Sequence, residues 1–585
     1  MESRGPIIRN SPKVTKARLY PELNRLIQER VLRGHLKGTA SRRPEMLHEA
    51  LREYVYNEMP FRLILLPQRK LVERSEIVEH IAAKMDVINE SLLFEMHDKI
   101  RTLGKTECST NPDEKEEDAG ENPWGSIYQF LFQKYGQYAI LSHTWLPKGE
   151  ILYQHVCRKH WWKKASGPGL DKLRGFCDVT HHHHDITLAW IDTLCINKDS
   201  SAELDESIQS MYKWYHNSSV CITHLRDTTS LENMESDNWF RRGWTLQELI
   251  APRNMHFYGK KWNRLAPHAN ENDKANPQIQ EIIHRATGIK PQDLVSFDPL
   301  TGSDVPTRMR WAANRKTTRG EDRAYSLMGI FGVHFSISYG EGAERAFFRL
   351  IAAIISSRHT PHIIQVLHWA GKAIPDRVHP SNLIPSSPEC YLPTNIEAAN
   401  NPFNADDFKQ STYYPTLSRP MVLTHLGLRV KLLLFRLSLL PSNGSLKVPP
   451  SALTFSLKKQ VARISATESL LQFYNPRIRA QANNSSFFLG IYTFKQDNRN
   501  GCIYLPFSAY GFLLGTSQTD FSMQNVSSSD FRPSSKIETR EVVRLYSEPY
   551  DHISKGGNDV TEEGCLTIPK KSLEALNLKL ITVYL

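Results

Sequence analysis

Polar and aromatic side chains follow two short apolar runs of the sequence. Ser142, His143 and Trp145 come directly after the first run, and Asp192 comes directly after the second. In an open parallel sheet, ligands bind beyond the carboxyl ends of the strands, near the point where the strand order reverses. We therefore predict that a hydroxyl, an imidazole, an indole and a carboxylate meet at one edge of a sheet and bind a ligand there. The alternative is that Asp192 caps a turn and Trp145 belongs to the core.

A second set of chemically competent residues lies in the segment WFRRGWTLQELIAP at 239–252. If this segment is helical from about residue 243, Arg241, Trp244 and Glu248 share one face. The opposite face is aliphatic and is expected to pack on the core: Leu246, Leu249 and Ile250. A carboxylate beside an indole and a guanidinium suits a ribose or base stacked on Trp244 with a phosphate near Arg241 or Arg242. The alternative is that Glu248 is an ordinary solvated surface residue.

The elements that would position these residues follow an α/β pattern. Four short apolar runs alternate with helical patterns and are predicted to be strands: 138–141, 187–191, 220–223 and 255–258. Strands that alternate with helices indicate a parallel sheet. One intervening helix is marked by apolar residues at 3.6-residue spacing: Leu204, Ile208, Met211, Tyr212 and Tyr215. That face of the helix is expected to pack on the sheet.

The sequence predicts three regions. Residues 1–45 are basic and lack periodicity, which predicts a disordered arm. Residues 46–370 hold the α/β domain, with an acidic linker at 111–123 and a helical extension at 263–370. Residues 371–585 carry strand-like runs punctuated by Pro, Ser and Asn, which predict a separate β-rich domain.

Composition excludes some classes of protein. Among 585 residues, Lys and Arg exceed Asp and Glu by 73 − 62 = 11, and much of this excess lies in the basic arm, so it does not favour a nucleic-acid partner. The eight cysteines form no CxxC pair, which is typical of a reduced, cytoplasmic protein. The longest apolar run, at 432–440, is short and contains Arg436, so no membrane partner is expected.

The sequence also holds candidate zinc ligands. Cys157, His160, Cys177 and the histidines at 181–184 have a passable spacing for zinc ligands. We predict that they lie in a loop between strands, where histidine runs are commonly solvated, and that no metal is bound.

Four ordered blocks resemble the heterokaryon-incompatibility (HET) family of filamentous fungi. They are YAILSHTW at 138, AWIDTLCINKDSSAELDESIQSMYKWY at 189, WFRRGWTLQELIAP at 239, and TTRGEDRAYSLMGIFGV at 317 with YGEG at 339. The chain departs from the common family text at Leu146, where Gly is usual, and at Arg241, where Thr is frequent. The resemblance implies a role in non-self recognition and programmed cell death after unlike hyphae fuse.

The HET domain in turn resembles a divergent TIR domain, which implies a flavodoxin-like parallel sheet with added helices. TIR domains that cleave NAD carry a Trp-Cys-x-x-Glu-Leu motif whose Glu is catalytic. Here Trp244, Glu248 and Leu249 occupy corresponding places, and Thr245 replaces the Cys. The resemblance implies that Glu248 is the catalytic carboxylate and that NAD is a substrate, with no resident cofactor.

Two functions from different classes remain open. The first is hydrolysis of NAD at the ribose–nicotinamide bond, in which Ser142, His143 and Asp192 would position ribose hydroxyls or phosphate and Trp145 or Trp244 would stack. The second is a non-catalytic module that signals by self-association. In either case we expect self-association, and a protein partner for the C-terminal domain.

Overall fold

The computed structural model divides into two compact units. It describes residues 43–86, 135–156, 162, 166–266 and 272–357, and stretches within 363–392 and 421–584. The first unit comprises Met1–Trp239 with Ala251–Ile279, and the second comprises Phe240–Ile250 with Gln280–Leu585. The acidic linker at 111–123, and the arm at 1–45 up to residue 42, lie outside the described residues. The domain bounds predicted from the sequence stay predictions.

A six-stranded sheet forms the centre of the first unit. Its strands are β1 (Arg62–Leu65), β2 (Lys70–Glu73), β3 (Tyr138–His143), β4 (Leu188–Trp190), β5 (Val220–His224) and β6 (Met255–Tyr258). They lie in the order β2-β1-β4-β3-β5-β6. The residues of β3 to β6 are all buried, as expected of central parallel strands that are covered on both faces.

The four strands predicted from the apolar runs are present and parallel. β3 pairs with β4 on one side and with β5 on the other, and β5 pairs with β6. Chain order therefore reverses at β3, because the next strand lies to one side of it and the following strand to the other. In doubly wound sheets such a reversal opens a crevice at the carboxyl ends of the strands.

The remaining two strands make the sheet mixed rather than wholly parallel. β1 pairs antiparallel with both β4 and β2. The apolar spacing predicts a short strand at Phe61–Leu65, which contains β1, and a helix over 71–85 (LVERSEIVEHIAAKM), but the helix begins only at Arg74. A turn with Arg69 at a φ of 51° joins the two strands. Their register places Leu63 opposite Val72, and this hairpin pairing outweighs the helical pattern.

Helices cover both faces of this sheet. They are α1 (Arg43–Glu58), α2 (Arg74–Asp86), α3 (Tyr153–Val156), α4 (Pro168–His184), α5 (Asp192–Cys195) and α6 (Ser201–Asn217). The predicted helix α6 begins at a capping Ser200, and its Trp214 contacts Trp190 of β4 edge-on. Lys172 of α4 instead reaches His143, which points to the other face of β3.

The second unit contains a helical part. Its α-helices are α7 (Thr245–Ile250), α8 (Pro277–Thr287, which belongs to this unit from Gln280 on), α9 (Pro291–Ser296), α10 (Val305–Ala313), α11 (Asp322–Tyr325), α12 (Met328–Phe331) and α13 (Ala343–Ser356). The apolar spacing of GEDRAYSLMGIFGV at 320–333 and GEGAERAFFRLIAAII at 340–355 predicts two helices flanking Tyr339. The second is α13, but the first divides into the single turns α11 and α12, and Gly332 ends α12 in the left-handed conformation.

The C-terminal region is built from strands, as the sequence predicted. Its strands are β7 (Val422–Thr424), β8 (Gly427–Leu437), β9 (Leu440–Ser442), β10 (Ser445–Lys447), β11 (Leu453–Leu457), β12 (Gln460–Ala466), β13 (Ser486–Ile491), β14 (Lys495–Asp497), β15 (Cys502–Pro506), β16 (Ser508–Thr516), β17 (Glu541–Pro549), β18 (Cys565–Pro569) and β19 (Leu578–Tyr584). Seven of them form the path β11-β12-β17-β16-β13-β8-β19, and β7 pairs with β8. Every pairing in the region is antiparallel within the described residues.

None of the helices in the described ranges has the length and apolar character that crossing a membrane requires.

Candidate functional site

A chain of polar contacts runs through the first unit to the carboxyl ends of β3 and β4. The ammonium of Lys172, on α4, lies 2.7 Å from Oε2 of Glu150 and 2.7 Å from Nδ1 of His143. Nε2 of His143 lies 3.0 Å from Oδ1 of Asp192. The indole Nε1 of Trp145 donates to Oδ2 of the same carboxylate at 2.8 Å. Five side chains from three stretches of sequence are therefore joined in one network.

Burial and charge hold His143 neutral. The residue is 3% exposed, and burial together with the Lys172 ammonium lowers the pKa of His143 below its usual range. The hydrogen bond to Asp192 opposes this shift without reversing it. The Lys172 charge is itself compensated by Glu150, because the two side chains form an ion pair with 4% and 9% exposure. The interior of the network thus carries no unpaired charge.

The outer end of the network is an exposed aromatic side chain. Trp145 is 38% exposed, so it is not a core residue. Nζ of Lys198 lies 3.5 Å from the centroid of the Trp145 ring and 3.8 Å from Oδ2 of Asp192. Lys198 belongs to the turn between α5 and α6. This end of the network is the part that a ligand could reach.

Ser142 lies apart from this network, although it precedes His143 in the chain. Neighbouring residues of a strand point to opposite faces of the sheet, and Ser142 is fully buried on the face opposite to His143. Its hydroxyl accepts a hydrogen bond of 2.8 Å from the indole of Trp239. Trp239 in turn packs edge-on against Phe257 of β6. This environment gives Ser142 a packing contact rather than a solvent-facing position.

Sequence reasoning missed a row of polar residues at the same sheet edge. The register aligns His143 with His224 of β5, and His224 with Tyr258 of β6. The His224 ring stacks on Trp262 at 4.3 Å, and burial lowers its pKa to about 4. The signal was available, because His224 ends its strand as His143 does, but the predicted strand stopped one residue earlier.

Glu248 lies in the second unit, on the short helix α7. It is only 7% exposed, which excludes the solvated-surface alternative. The guanidinium of Arg315 interacts electrostatically with Glu248, donates to Oγ1 of Thr245 at 3.0 Å and donates to the carbonyl of Arg242 at 2.9 Å. Burial lowers the pKa of Arg315 to about 9, and the Glu248 charge opposes that shift.

Trp244 connects the third sequence block to the fourth. Its indole bonds to the carboxyl of Asp322, whose pKa is raised by burial. The hydroxyl of Tyr339 donates to the same carboxyl at 2.9 Å. Gly243 donates its backbone N–H to the carbonyl of Lys316 at 2.8 Å. A Cβ at Gly243 would meet the methyl of Thr317 at 2.4 Å, so this close approach requires glycine.

The structure thus places the predicted residues in two groups. His143, Trp145 and Asp192 contact one another in the first unit, while Ser142 of that unit faces away from them. Glu248 and Trp244 belong to the second unit. Arg241, also in the second unit, is exposed, and its carbonyl accepts from the backbone of Lys316 at 2.7 Å.

The sequence predicts a loop for the histidine run at 181–184, but this run forms the last turn of α4. The ring of His184 lies 4.8 Å from that of His256, and burial lowers the pKa of His184 to about 3. Burial also raises the pKa of Cys177 to about 12, which disfavours the thiolate that a metal would need. Within the part of the chain that the structure describes, no three such side chains are grouped to hold a metal. Cys157 and His160 lie outside that part.

Comparison with known proteins finds a family match within the first unit. Residues 138–234 match the family model for the heterokaryon incompatibility protein (HET). The chain carries a HET domain. It is also 39% identical over 225 residues to vegetative incompatibility protein HET-E-1 of Podospora anserina, a match that covers 36% of this chain and 16% of that relative. The chain therefore spans about a sixth of the length of the relative that it matches. No solved structure matches.

The matched part of the HET domain begins at the first residue of β3 and ends ten residues beyond β5. It contains the whole network of Glu150, Lys172, His143, Asp192 and Trp145. Glu248 follows the end of the match, so its assignment depends on the WFRRGWTLQELIAP block rather than on the family model.

Proposed function

We propose that this chain is a cytoplasmic effector of vegetative incompatibility and programmed cell death. The HET domain and the likeness to a vegetative incompatibility protein support the biological role. We base the proposed cytoplasmic location on the cysteines, which form no CxxC pair, as is typical of reduced, intracellular proteins.

We further propose that the effector hydrolyses NAD, with Glu248 as its catalytic carboxylate. The observation that carries this proposal is the burial of Glu248. Glu is almost never fully buried without a partner or a task, and this one lies in the segment that resembles the catalytic motif of TIR domains. The half-buried Trp244, four residues before it, offers an aromatic surface for a base or ribose.

The proposed reaction needs only one carboxylate. The bond between C1′ of the ribose and the pyridinium nitrogen breaks, and its electron pair returns to that nitrogen, giving neutral nicotinamide. Water adds to C1′ and loses a proton, giving ADP-ribose. The leaving group is already cationic, so no general acid is required, in contrast to ordinary glycosides. A fixed negative charge would stabilise the oxocarbenium-like transition state.

A second function has its own support. The Arg315 charge already interacts with the Glu248 charge, and buried opposite charges can be a structural feature alone. Under this alternative the HET domain signals by self-association without chemistry, and the C-terminal strands bind a protein partner. Light scattering across a concentration series would detect the assembly directly.

Expression in a filamentous fungus distinguishes the two functions. We expect the parent chain to arrest growth and deplete cellular NAD, and Glu248→Gln to do neither at equal protein level. Glu281→Gln is the matched control, because Glu281 is an exposed helix residue that pairs with Arg285 four residues on. Arrest by Glu248→Gln with undiminished NAD would refute the enzymatic proposal and support self-association.

A further inference from the structure

The exposed Trp145 ring lies beside a carboxylate, and together they hold an ammonium group. Nζ of Lys198 is 3.5 Å from the ring centroid and 3.8 Å from Oδ2 of Asp192. The same Oδ2 accepts the indole N–H of Trp145 at 2.8 Å. Proteins commonly recognise organic cations by an aromatic face together with an adjacent carboxylate.

The pair is held rigidly from the interior of the first unit. Asp192 is fixed through His143 by the buried Lys172, as described above. Both oxygens of Asp192 are engaged, so the carboxylate and the indole plane are oriented together. Such preorganisation lowers the cost of binding, because few groups must be ordered when a ligand arrives.

Lys198, in contrast, can leave without unfolding its turn. The backbone on either side is anchored independently: the N–H of Asn197 donates to Glu203 at 2.7 Å, and the N–H of Asp199 donates to Asn197 at 3.1 Å. The Lys198 side chain itself is 34% exposed and flexible. Its ammonium can move into solvent while the turn keeps its shape.

We propose that Trp145 and Asp192 form a binding site for a flat organic cation of the pyridinium type, which the chain's own Lys198 occupies and must vacate before the ligand binds. Lys198 is then an internal competitor that lowers the apparent affinity of the site. The nicotinamide ring of NAD is such a cation, so in its choice of ligand this inference rests on the proposed function. The geometry of the site does not depend on hydrolysis.

The test uses 1-methylnicotinamide, a pyridinium cation without a ribosyl bond to cleave, and ligand-observed NMR on the full chain. Lys198→Met removes the competitor and should bind the probe about fivefold tighter, the size expected for releasing one exposed cation–π contact. Trp145→Leu should lose the binding. Neutral nicotinamide should show no gain with Lys198→Met.

The control variant is Lys148→Met, which makes the same change in net charge at a nearby exposed lysine. It should leave the affinity of the probe unchanged. If Lys198→Met binds the cation no tighter than Lys148→Met does, or if neutral nicotinamide gains equally, the proposal is overturned. If Lys198→Met binds 1-methylnicotinamide more tightly but the parent chain releases no nicotinamide from NAD, the cation site is supported and the proposed hydrolysis is refuted.

Discussion

The ammonium of Lys172 lies 2.7 Å from Nδ1 of His143, inside the HET domain. An ammonium carries only donors, so Nδ1 is the acceptor and the ring proton resides on Nε2. Nε2 therefore donates to Asp192. Lys172, which is only 5% exposed, thus sets the tautomer of His143. Through His143 it also orients the carboxylate of Asp192.

We expect Lys172→Met to destabilise the chain by about 3 kcal/mol, because it leaves the buried Glu150 carboxylate without its counter-ion. Urea unfolding measures the change. The double variant Lys172→Met/Glu150→Gln should recover part of the loss, since no unpaired charge remains. A loss below about 1 kcal/mol in the single variant is what an exposed ion pair would give, and it would contradict the role assigned to the pair.

His224 should make stability depend on pH. Burial lowers its pKa from 6.5 to about 4 in the folded chain. Between these values the unfolded chain binds a proton that the folded chain does not, so stability falls as the pH drops from 6.5 to 4, by about 3 kcal/mol in all. His224→Phe keeps a ring against Trp262 but cannot bind a proton. Its free energy of unfolding, followed over the same pH range, should fall less than that of the parent; parallel curves would show that His224 is not responsible.

If the chain hydrolyses NAD, Asp192→Ala should impair binding of NAD more than folding. The change removes the acceptor that orients Trp145 and His143, and a lost hydrogen bond to a charged group predicts a rise in KM of about tenfold. Steady-state kinetics and the melting temperature are measured together, with the exposed Asp171→Ala as control. A large fall in melting temperature with KM unchanged would instead assign Asp192 to capping and packing.

The parallel part of the sheet could be predicted from the sequence, because its strands are apolar runs that alternate with helical patterns. The hairpin strand β2 could not, since KLVE has charged residues at both ends and continues into a helical pattern. Its strand state depends on pairing with β1, which a local pattern does not contain. The apolar spacing at 320–333 is likewise only a local pattern, and it predicts one helix where the structure has the two single turns α11 and α12.

Site residues at strand ends were predictable, whereas their partners were not. His143 and Asp192 follow apolar runs, so their place at the sheet edge follows from topology. Lys172 lies among charged and polar residues of α4, and Glu150 is 22 positions away in the chain. No spacing rule joins two such residues. Arg315 is likewise brought to Glu248 only by the fold of the second unit.

Nicotinamide release from NAD by the purified, concentrated chain tests most directly whether Glu248 catalyses NAD hydrolysis. Glu248→Gln keeps the side-chain volume and removes the charge, so the rate should fall roughly a hundred- to a thousandfold. Glu248→Asp keeps a charge for Arg315 but moves the carboxylate; it should stay folded by circular dichroism and also lose most activity.

The surface control Glu281→Gln should release nicotinamide at the parent rate. If the parent releases nicotinamide and Glu248→Gln does so equally fast, Glu248 is not the catalytic carboxylate. If the parent releases none, even when it is assembled at high concentration, the chain is not an NAD hydrolase.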